Sequence, residues 1–336
     1  MANTYIVGSG FSGFYASQSL SKKYIWLSCG ESYKRDFEPR RKYLEINKLL
    51  RKKIASYGNI NFSSSQLHER VVDGGNSTLW GGFINMDHDD ERLHETFKNN
   101  HIETWSLSYE KNHAITNGHN IRQLVLGNRI LDVSKLASGT INGRAVSIDL
   151  KKRELQVFYS EIDATKSEKY EEIYLATGVC KTIEILYESG LINNGDKISL
   201  EEYAMQYRVS TSGSIRSDEV VIKYNFCGII KHFFGVTNPF KCWIKVPLYL
   251  EQIFSQKLVE KGFTIASGSL ISSQSEPAWG KSIHYCNLKI NGVEINQHLR
   301  QIGSNIFVIS QCGVSQSSPG PISNDIVKNI NQIINA

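Results

Sequence analysis

Three glycines, Gly8, Gly10 and Gly13, stand directly after the apolar run Tyr5-Ile6-Val7 and before a helix-forming stretch from Phe14 to Lys23. In that setting G-x-G-x-x-G is the fingerprint of a site for the pyrophosphate of a dinucleotide. Gly8 permits the tight turn, Gly10 lets a pyrophosphate approach the backbone, and Gly13 lets the helix pack close to the strand. The helix N-terminus adds free N–H groups and the positive end of its dipole. A second glycine-rich run lies further on: Val71-Val72-Asp73-Gly74-Gly75-Asn76-Ser77-Thr78-Leu79-Trp80-Gly81-Gly82-Phe83. Two Gly-Gly pairs bracket a small polar segment and a tryptophan. So many glycines imply backbone at positive φ or in very close approach to something flat or charged. The run reads as a ligand-contacting loop.

These residues need a scaffold. Tyr24-Ile25-Trp26-Leu27-Ser28-Cys29-Gly30 reads as a second strand. It ends where a dinucleotide fold places an acidic residue for the ribose hydroxyls, about 20 residues past the glycines. That position is Ser28, with Glu31 three residues on as a substitute. Residues 33–56 are rich in charge, with an apolar stripe of Leu44, Leu49, Leu50 and Ile54, and read as a solvated helix. Val146–Leu150 and Glu154–Tyr159 read as a hairpin or meander. Glu172 to Gly178 reads as a buried strand ending in Ala176-Thr177-Gly178, with a short helix from Thr182 to Ser189 stopped by Gly190. In the tail, Ser304 to Ser310 reads as a strand. A glycine- and serine-rich loop follows, then a helix from Ser323 to Ile334 with Ser323 as its N-cap.

Composition bounds the rest. With 336 residues, about two domains or one large domain with an insertion are expected. Hydrophobic content of 40% and charged content of 21% describe an ordinary globular chain. The net charge of +5 fits an anionic cofactor, an anionic substrate or an acidic membrane surface, and does not call for nucleic acid. Cys29, Cys180, Cys227, Cys242, Cys286 and Cys312 show no C-x-x-C or zinc spacing and read as reduced thiols of a cytoplasmic protein. The histidines between 87 and 125 match neither H-x-x-x-H nor H-E-x-x-H, so no metal site is expected. No signal peptide and no membrane span are expected either. Between 200 and 285, Ile229–Phe234 and Phe240–Leu250 mix lysines with Phe, Trp and Tyr. Such a mixture suits peripheral contact with a membrane interface or the lysine-bearing outer face of a substrate domain.

Taken in order, these blocks resemble the flavoproteins of the glucose-methanol-choline (GMC) oxidoreductase superfamily. The likeness rests on Gly8–Gly13, Trp26–Gly30, Gly74–Gly82, Ile173–Gly178 running on to Ile185–Gly190, and Asn305–Ser310 with Pro321 and its helix. It spans roughly half the chain, from end to end. The resemblance implies an α/β fold: a Rossmann-like FAD-binding domain in three layers (ββα), with an inserted, reduced α+β substrate domain. It places the FAD-binding domain at 1–86, 141–195 and 300–336, and the substrate or cap domain at 87–140 and 196–299. It implies that Gly8, Gly10, Phe11, Ser12 and Gly13 hold the pyrophosphate and that Ser28 stands at the ribose. Gly75, Asn76, Ser77, Trp80 and Gly81 would run close to the flavin or diphosphate, and Ala176, Thr177 and Gly178 near the adenosine half. Ser310 and Gln311 would meet the cofactor from the tail. The family has an aspartate where this chain has Ser310. It also has a histidine or asparagine before a proline, where this chain has Ser318 and Gly320.

The chemistry that follows from the resemblance is oxidation of an alcohol carbon, with hydride passing to flavin N5 while a histidine takes the hydroxyl proton. His284 precedes the final strand as the family's histidine does. Asn287 is the second catalytic candidate, Tyr285 is a further polar candidate, and His298 is a rival base. In a strand His284 and Cys286 share one face, Tyr285 and Asn287 the other. The expected substrate is a sugar or a lipid-linked sugar, and the electron acceptor is left open among oxygen, a quinone and a protein. Two other readings stand beside this one. The first is a non-redox flavin- or nucleotide-binding protein or sugar-nucleotide isomerase, which the missing tail partner favours. The second is an NAD- or SAM-using Rossmann enzyme, against which the 74–82 loop and the Ala-Thr-Gly strand argue. No G-x-S-x-G elbow and no Walker lysine occur.

Overall fold

The fold was taken from a computed structural model, which describes residues 2–29, 73–75, 83–86, 90–106, 121–127, 129–193, 195–206, 219–225, 241–247, 267–269, 279–315 and 322–335. The chain opens with strand β1 (Asn3–Val7), helix α1 (Phe11–Ser19) and strand β2 (Tyr24–Ser28). Next come β3 (Phe83–Asn85), α2 (Glu91–Asn99), β4 (Glu103–Ser106), β5 (Ile121–Leu126) and β6 (Arg129–Ile130). The chain then returns through β7 (Ile141–Asn142), β8 (Arg144–Asp149), β9 (Glu154–Tyr159), β10 (Ala164–Leu175) and α3 (Val179–Glu188). Strands β11 (Ile198–Gln206), β12 (Glu219–Asn225), β13 (Lys241–Pro247), β14 (Ser267–Ser269), β15 (Trp279–Ile290) and β16 (Val293–Glu294) follow. Helix α4 (Ile295–Gln301), β17 (Ile306–Val308) and α5 (Ile322–Ile334) close the described chain.

The central sheet has seven strands, in which β7, β2, β1, β10 and β17 are parallel neighbours. Strand β10 belongs to two layers. Its second half pairs with β1 and β17, while Ala164–Lys169 pair antiparallel with β9, which pairs with β8. The period-2 alternation of a strand divides the core accordingly. Tyr5, Val7, Leu27, Ile173 and Leu175 pack with Ala145, Ile148, Leu155 and Val157 of the meander. Ile6, Trp26 and Tyr174 face the other way, onto Phe14, Tyr15 and Ala16 of α1 and Ile326, Val327 and Ile330 of α5. The fold is therefore α/β: a Rossmann-like unit in three layers, meander on sheet on helices. The remaining described strands form three small antiparallel sheets, which with α2 make up the α+β insertions. They run β3-β5-β4 with β6 on β5, β11-β15-β16, and β13-β12-β14.

Apart from Gln18, helix α1 is built of Phe, Ser, Gly, Tyr and Ala, a composition with little intrinsic helix preference. It is held by packing, with Phe11–Ser17 all buried. The Tyr15 hydroxyl donates to Asn331 Oδ1 of α5 at 3.1 Å, and the Tyr24 hydroxyl donates to the Ser17 carbonyl at 2.9 Å.

Several boundaries differ from the sequence reading. Helix α1 starts at Phe11, with Gly10 as its extended N-cap, and ends at Ser19. Helix α3 starts at Val179, so β10 stops at Leu175 and Ala176-Thr177-Gly178 is a link, not strand. Ser323 is not an N-cap: it lies inside α5 and is buried. Its neighbour Asn324 instead clasps Asn85, accepting its N–H at 2.8 Å and donating to its carbonyl at 2.7 Å. Among the described residues no helix is long and apolar enough to cross a membrane.

Candidate functional site

Four parallel strands end on one line. Val7 stands beside Leu27 of β2 and Leu175 of β10, and Leu175 stands beside Val308 of β17. The next residues are therefore neighbours along the carboxyl edge of the sheet: Ser28, Gly8, Ala176 and Ile309. Ala176 N–H donates to the Val7 carbonyl at 2.8 Å, and Ile309 N–H to the Leu175 carbonyl at 2.9 Å. Three gaps of ~4.8 Å make an edge about 14 Å long, suited to an extended ligand. In open α/β sheets the ligand crevice lies outside this edge, at the point where the chain order reverses. Here that point is β1, with β2 on one side and β10 on the other.

Two glycines make the turn. Gly8 takes φ +110°, and a Cβ there would come within 2.8 Å of the Ala176 carbonyl oxygen. At Gly13 a Cβ would fall 2.0 Å from the Gly8 carbonyl oxygen and 3.2 Å from Trp26 Nε1. That oxygen also accepts the Trp26 indole N–H at 2.9 Å. Helix and strand thus touch backbone to backbone, with the indole of β2 closing the joint. Among the described residues, Gly10 has only Gly74 O nearby, at 3.5 Å from a notional Cβ. Among the described residues no side chain caps the first turn of α1.

The second glycine run docks on this turn. Gly74 N–H donates to Ser9 Oγ at 3.0 Å, Ser9 Oγ lies 2.7 Å from Ser28 Oγ, and the Ser28 hydroxyl donates to Asp73 Oδ1. Gly74 and Gly75 both have left-handed φ, at 81° and 51°. On the other side of Gly8, the Thr177 and Thr182 hydroxyls lie 2.8 Å apart, and Thr182 donates to the Thr177 carbonyl. Ser310, just past β17, is buried, and among the described residues its Oγ has no hydrogen-bond partner. A buried hydroxyl left unpaired costs about 1–3 kcal/mol, which marks Ser310 as a group that a ligand would satisfy. Gln311 opens the 3-10 turn that follows.

The structure thus brings Gly8, Gly10, Phe11, Ser12, Gly13, Ser28, Gly75, Ala176, Thr177, Gly178, Ser310 and Gln311 to one edge from five separate segments. Asn76, Ser77, Trp80, Gly81 and Glu31 lie outside the described residues. His284 is on β15, opposite Tyr203 of β11. Asn287 sits in a bulge of β15 at φ +50°, buried, and its amide donates to the Ser315 carbonyl at 3.1 Å. The bulge breaks the strict alternation expected of this strand: Cys286, Asn287 and Leu288 are buried in succession. His298 is on α4, the helix that follows β16. No sequence pattern singles out Asp73, Ser9 or Thr182. Asp73 is 45 residues from its partner Ser28, too far for any local pattern to join them.

Among the described residues, the most strongly shifted hydroxyl lies elsewhere. Burial, then the bond it donates to Glu172 at 2.7 Å, pushes the Tyr174 hydroxyl up, and Lys22 pairs with the same carboxylate. Glu172 registers with Thr4, at the start of β1. This cluster is structural and sits away from the carboxyl edge. Among the described residues no three His, Cys, Asp or Glu gather to hold a metal.

No family model and no curated protein matches the chain. Among solved structures, pyridoxine 4-oxidase from Mesorbium loti is similar over 100% of this chain and 99% of its own, at TM-score 0.51 and 12% identity. At that identity the likeness shows a shared fold. The flavin-dependent monooxygenase PieE, solved with FAD and substrate, covers 99% of this chain and 56% of its own at TM-score 0.32 and 9% identity. That score is too low to bear on the fold.

Proposed function

We propose that this chain is an FAD-dependent oxidoreductase acting on a CH–OH carbon, as a short, divergent relative of the GMC oxidoreductases. The observation that carries the reading is the carboxyl edge itself. An uncapped helix start, a backbone-close glycine turn and a buried unpartnered hydroxyl at Ser310 lie along one line of strand ends. The group fits: phosphates suit the first turn of α1, and the Ser310 hydroxyl gains the partner it lacks. FAD is favoured over NAD by the glycine run docked at Ser9, which the resemblance places at the flavin half. The full-length fold likeness to pyridoxine 4-oxidase supports an oxidase reading. We divide the chain into a cofactor-binding domain of 1–86, 141–195 and 300–336 and a substrate-facing remainder of 87–140 and 196–299.

Bound FAD would supply the acceptor for the substrate's hydride. The chain's own work is to bind, orient and deprotonate. Gly8, Gly10, Phe11, Ser12 and Gly13 hold the diphosphate. Gly75 would face the flavin side, where the resemblance also assigns Asn76, Ser77, Trp80 and Gly81, and Ala176, Thr177 and Gly178 would face the adenosine side. Ser310 and Gln311 close the end of the site. His284 takes the substrate hydroxyl proton, and a neutral imidazole suits that task near pH 7. Asn287 positions the 311–315 turn through the Ser315 carbonyl. The substrate is a sugar or lipid-linked sugar, and the lysine- and aromatic-rich 229–250 segment would bring the protein to a membrane surface.

The test is anaerobic addition of alcohols, sugars and pyridoxine included, to the purified protein. Loss of visible flavin absorbance with at least one of them is expected. A flavin that stays oxidised with every alcohol, yet reduces with dithionite, would favour the second reading, a non-redox role on the same fold. That reading draws on Ser318 and Gly320, which stand where the family's second pre-proline partner would be.

A further inference from the structure

Among the described residues, β17 pairs only with β10, so its other side is a strand edge. The polar backbone groups of such an edge need cover. At Val308 the cover is a side chain, Asn296 of α4. Its Oδ1 accepts the Val308 N–H at 2.8 Å, and its Nδ2 donates to the Val308 carbonyl at 2.9 Å. One amide thus holds both polar groups of one residue, as a neighbouring strand would. Asn329 of α5 adds a longer bond to the same carbonyl, at 3.3 Å. Asn296 Nδ2 also reaches forward along the chain, to the Gly313 carbonyl at 3.5 Å.

Gly313 is within reach because the chain turns back. The Ile309 N–H donates to the Leu175 carbonyl, and the 3-10 turn Gln311–Gly313 closes with the Gly313 N–H on the Ser310 carbonyl at 2.9 Å. A Cβ at Gly313 would fall 1.8 Å from the Val308 carbonyl oxygen and 2.9 Å from Asn296 Nδ2. The turn is pressed onto β17 backbone against backbone, and Asn296 stands at the junction. Past the turn, the Asn287 amide donates to the Ser315 carbonyl at 3.1 Å. Side-chain amides from α4 and β15 therefore hold the segment 308–315 at its two ends. Inside it lies Ser310, buried, with a hydroxyl that has no partner among the described residues. A hydrogen bond to a ligand needs its protein group held to within about 0.5 Å. We propose that Asn296 is a positioning residue of the cofactor site, fixing the 308–313 turn so that the Ser310 hydroxyl meets the bound FAD. This role rests on the FAD reading of the carboxyl edge.

The test is a double-mutant cycle on FAD affinity, with wild type, Asn296→Ala, Ser310→Ala and the double variant as full chains. Each is stripped of flavin and titrated with FAD, and binding is read from flavin fluorescence. A neutral hydrogen bond is worth roughly 3- to 10-fold in affinity, so Ser310→Ala should weaken FAD binding by about that factor. Asn296→Ala should weaken it similarly in the wild type and by a factor of about 1 once Ser310 is alanine, because groups that act through one another do not add. Asn296→Asp, of the same shape, keeps the bond from the Val308 N–H and loses both donations. It takes the place of Asn296→Ala if the alanine variant fails to fold, and the ratio of its factors in the two backgrounds is the readout. Equal factors in the two backgrounds, or FAD affinity unchanged by the Asn296 variant, would reduce Asn296 to edge cover and overturn its positioning role. Affinity unchanged by Ser310→Ala, in a chain that still binds FAD, would overturn that role and leave the FAD reading standing. A wild type that takes up no FAD would sink both.

Discussion

Gly13→Ala is expected to lower the stability of the fold by about 3 kcal/mol or more, and to empty the cofactor site at the same time. The added methyl would lie 2.0 Å from the Gly8 carbonyl oxygen and 3.0 Å from its carbon, with Trp26 Nε1 at 3.2 Å. The first two are backbone atoms, and neither can rotate away. Helix α1 would have to lift off the sheet. Its buried Phe14 and Tyr15 pack between sheet and α5, so the lift opens that layer. Overpacking a tight core costs about 1–3 kcal/mol, and more where backbone must move. Domains of this kind are stable by only about 5–15 kcal/mol. Denaturant unfolding followed by circular dichroism checks this, with Gly139→Ala as control because a Cβ there meets nothing within 4 Å. Equal midpoints for Gly13→Ala and wild type would contradict the backbone contact.

His284→Ala is expected to cost about 10²- to 10⁴-fold in turnover while leaving bound cofactor in place, the range for loss of a general base. His284 lies on β15, outside the carboxyl-edge cradle, so its removal should not touch the glycine turn. Stopped-flow reduction under anaerobic conditions separates the two quantities. The visible spectrum reports occupancy, and the decay rate reports proton and hydride transfer. A variant that keeps wild-type turnover removes His284 from the mechanism and leaves His298 as the next candidate.

The glycine turn, β1, β2 and the split of the core between two faces were legible because they are local. Tyr5-Ile6-Val7 is a strand in any setting, and Gly8 and Gly13 carry their reasons in their own backbone. Other features depended on partners far along the chain. The first half of β10, Ala164–Lys169, is polar and mostly exposed, with no apolar alternation to mark it, and its strand character comes from its pairing with β9. The bond from Ser28 to Asp73 was not legible, because that aspartate is 45 residues away. Ser323 looked like a cap, whereas the helix starts before it and the neighbouring Asn324 is engaged with Asn85. Ser310 looked like a lost aspartate. In the fold it is a buried hydroxyl without a partner at the end of the cofactor edge.

FAD binding along the carboxyl edge is tested most directly by the absorbance and mass of whatever leaves the purified, heat-denatured protein. One equivalent of released FAD, with the two visible bands of an oxidised flavin in the intact protein, is the predicted result. A colourless protein that releases no flavin, and takes up none when FAD is added, would contradict it.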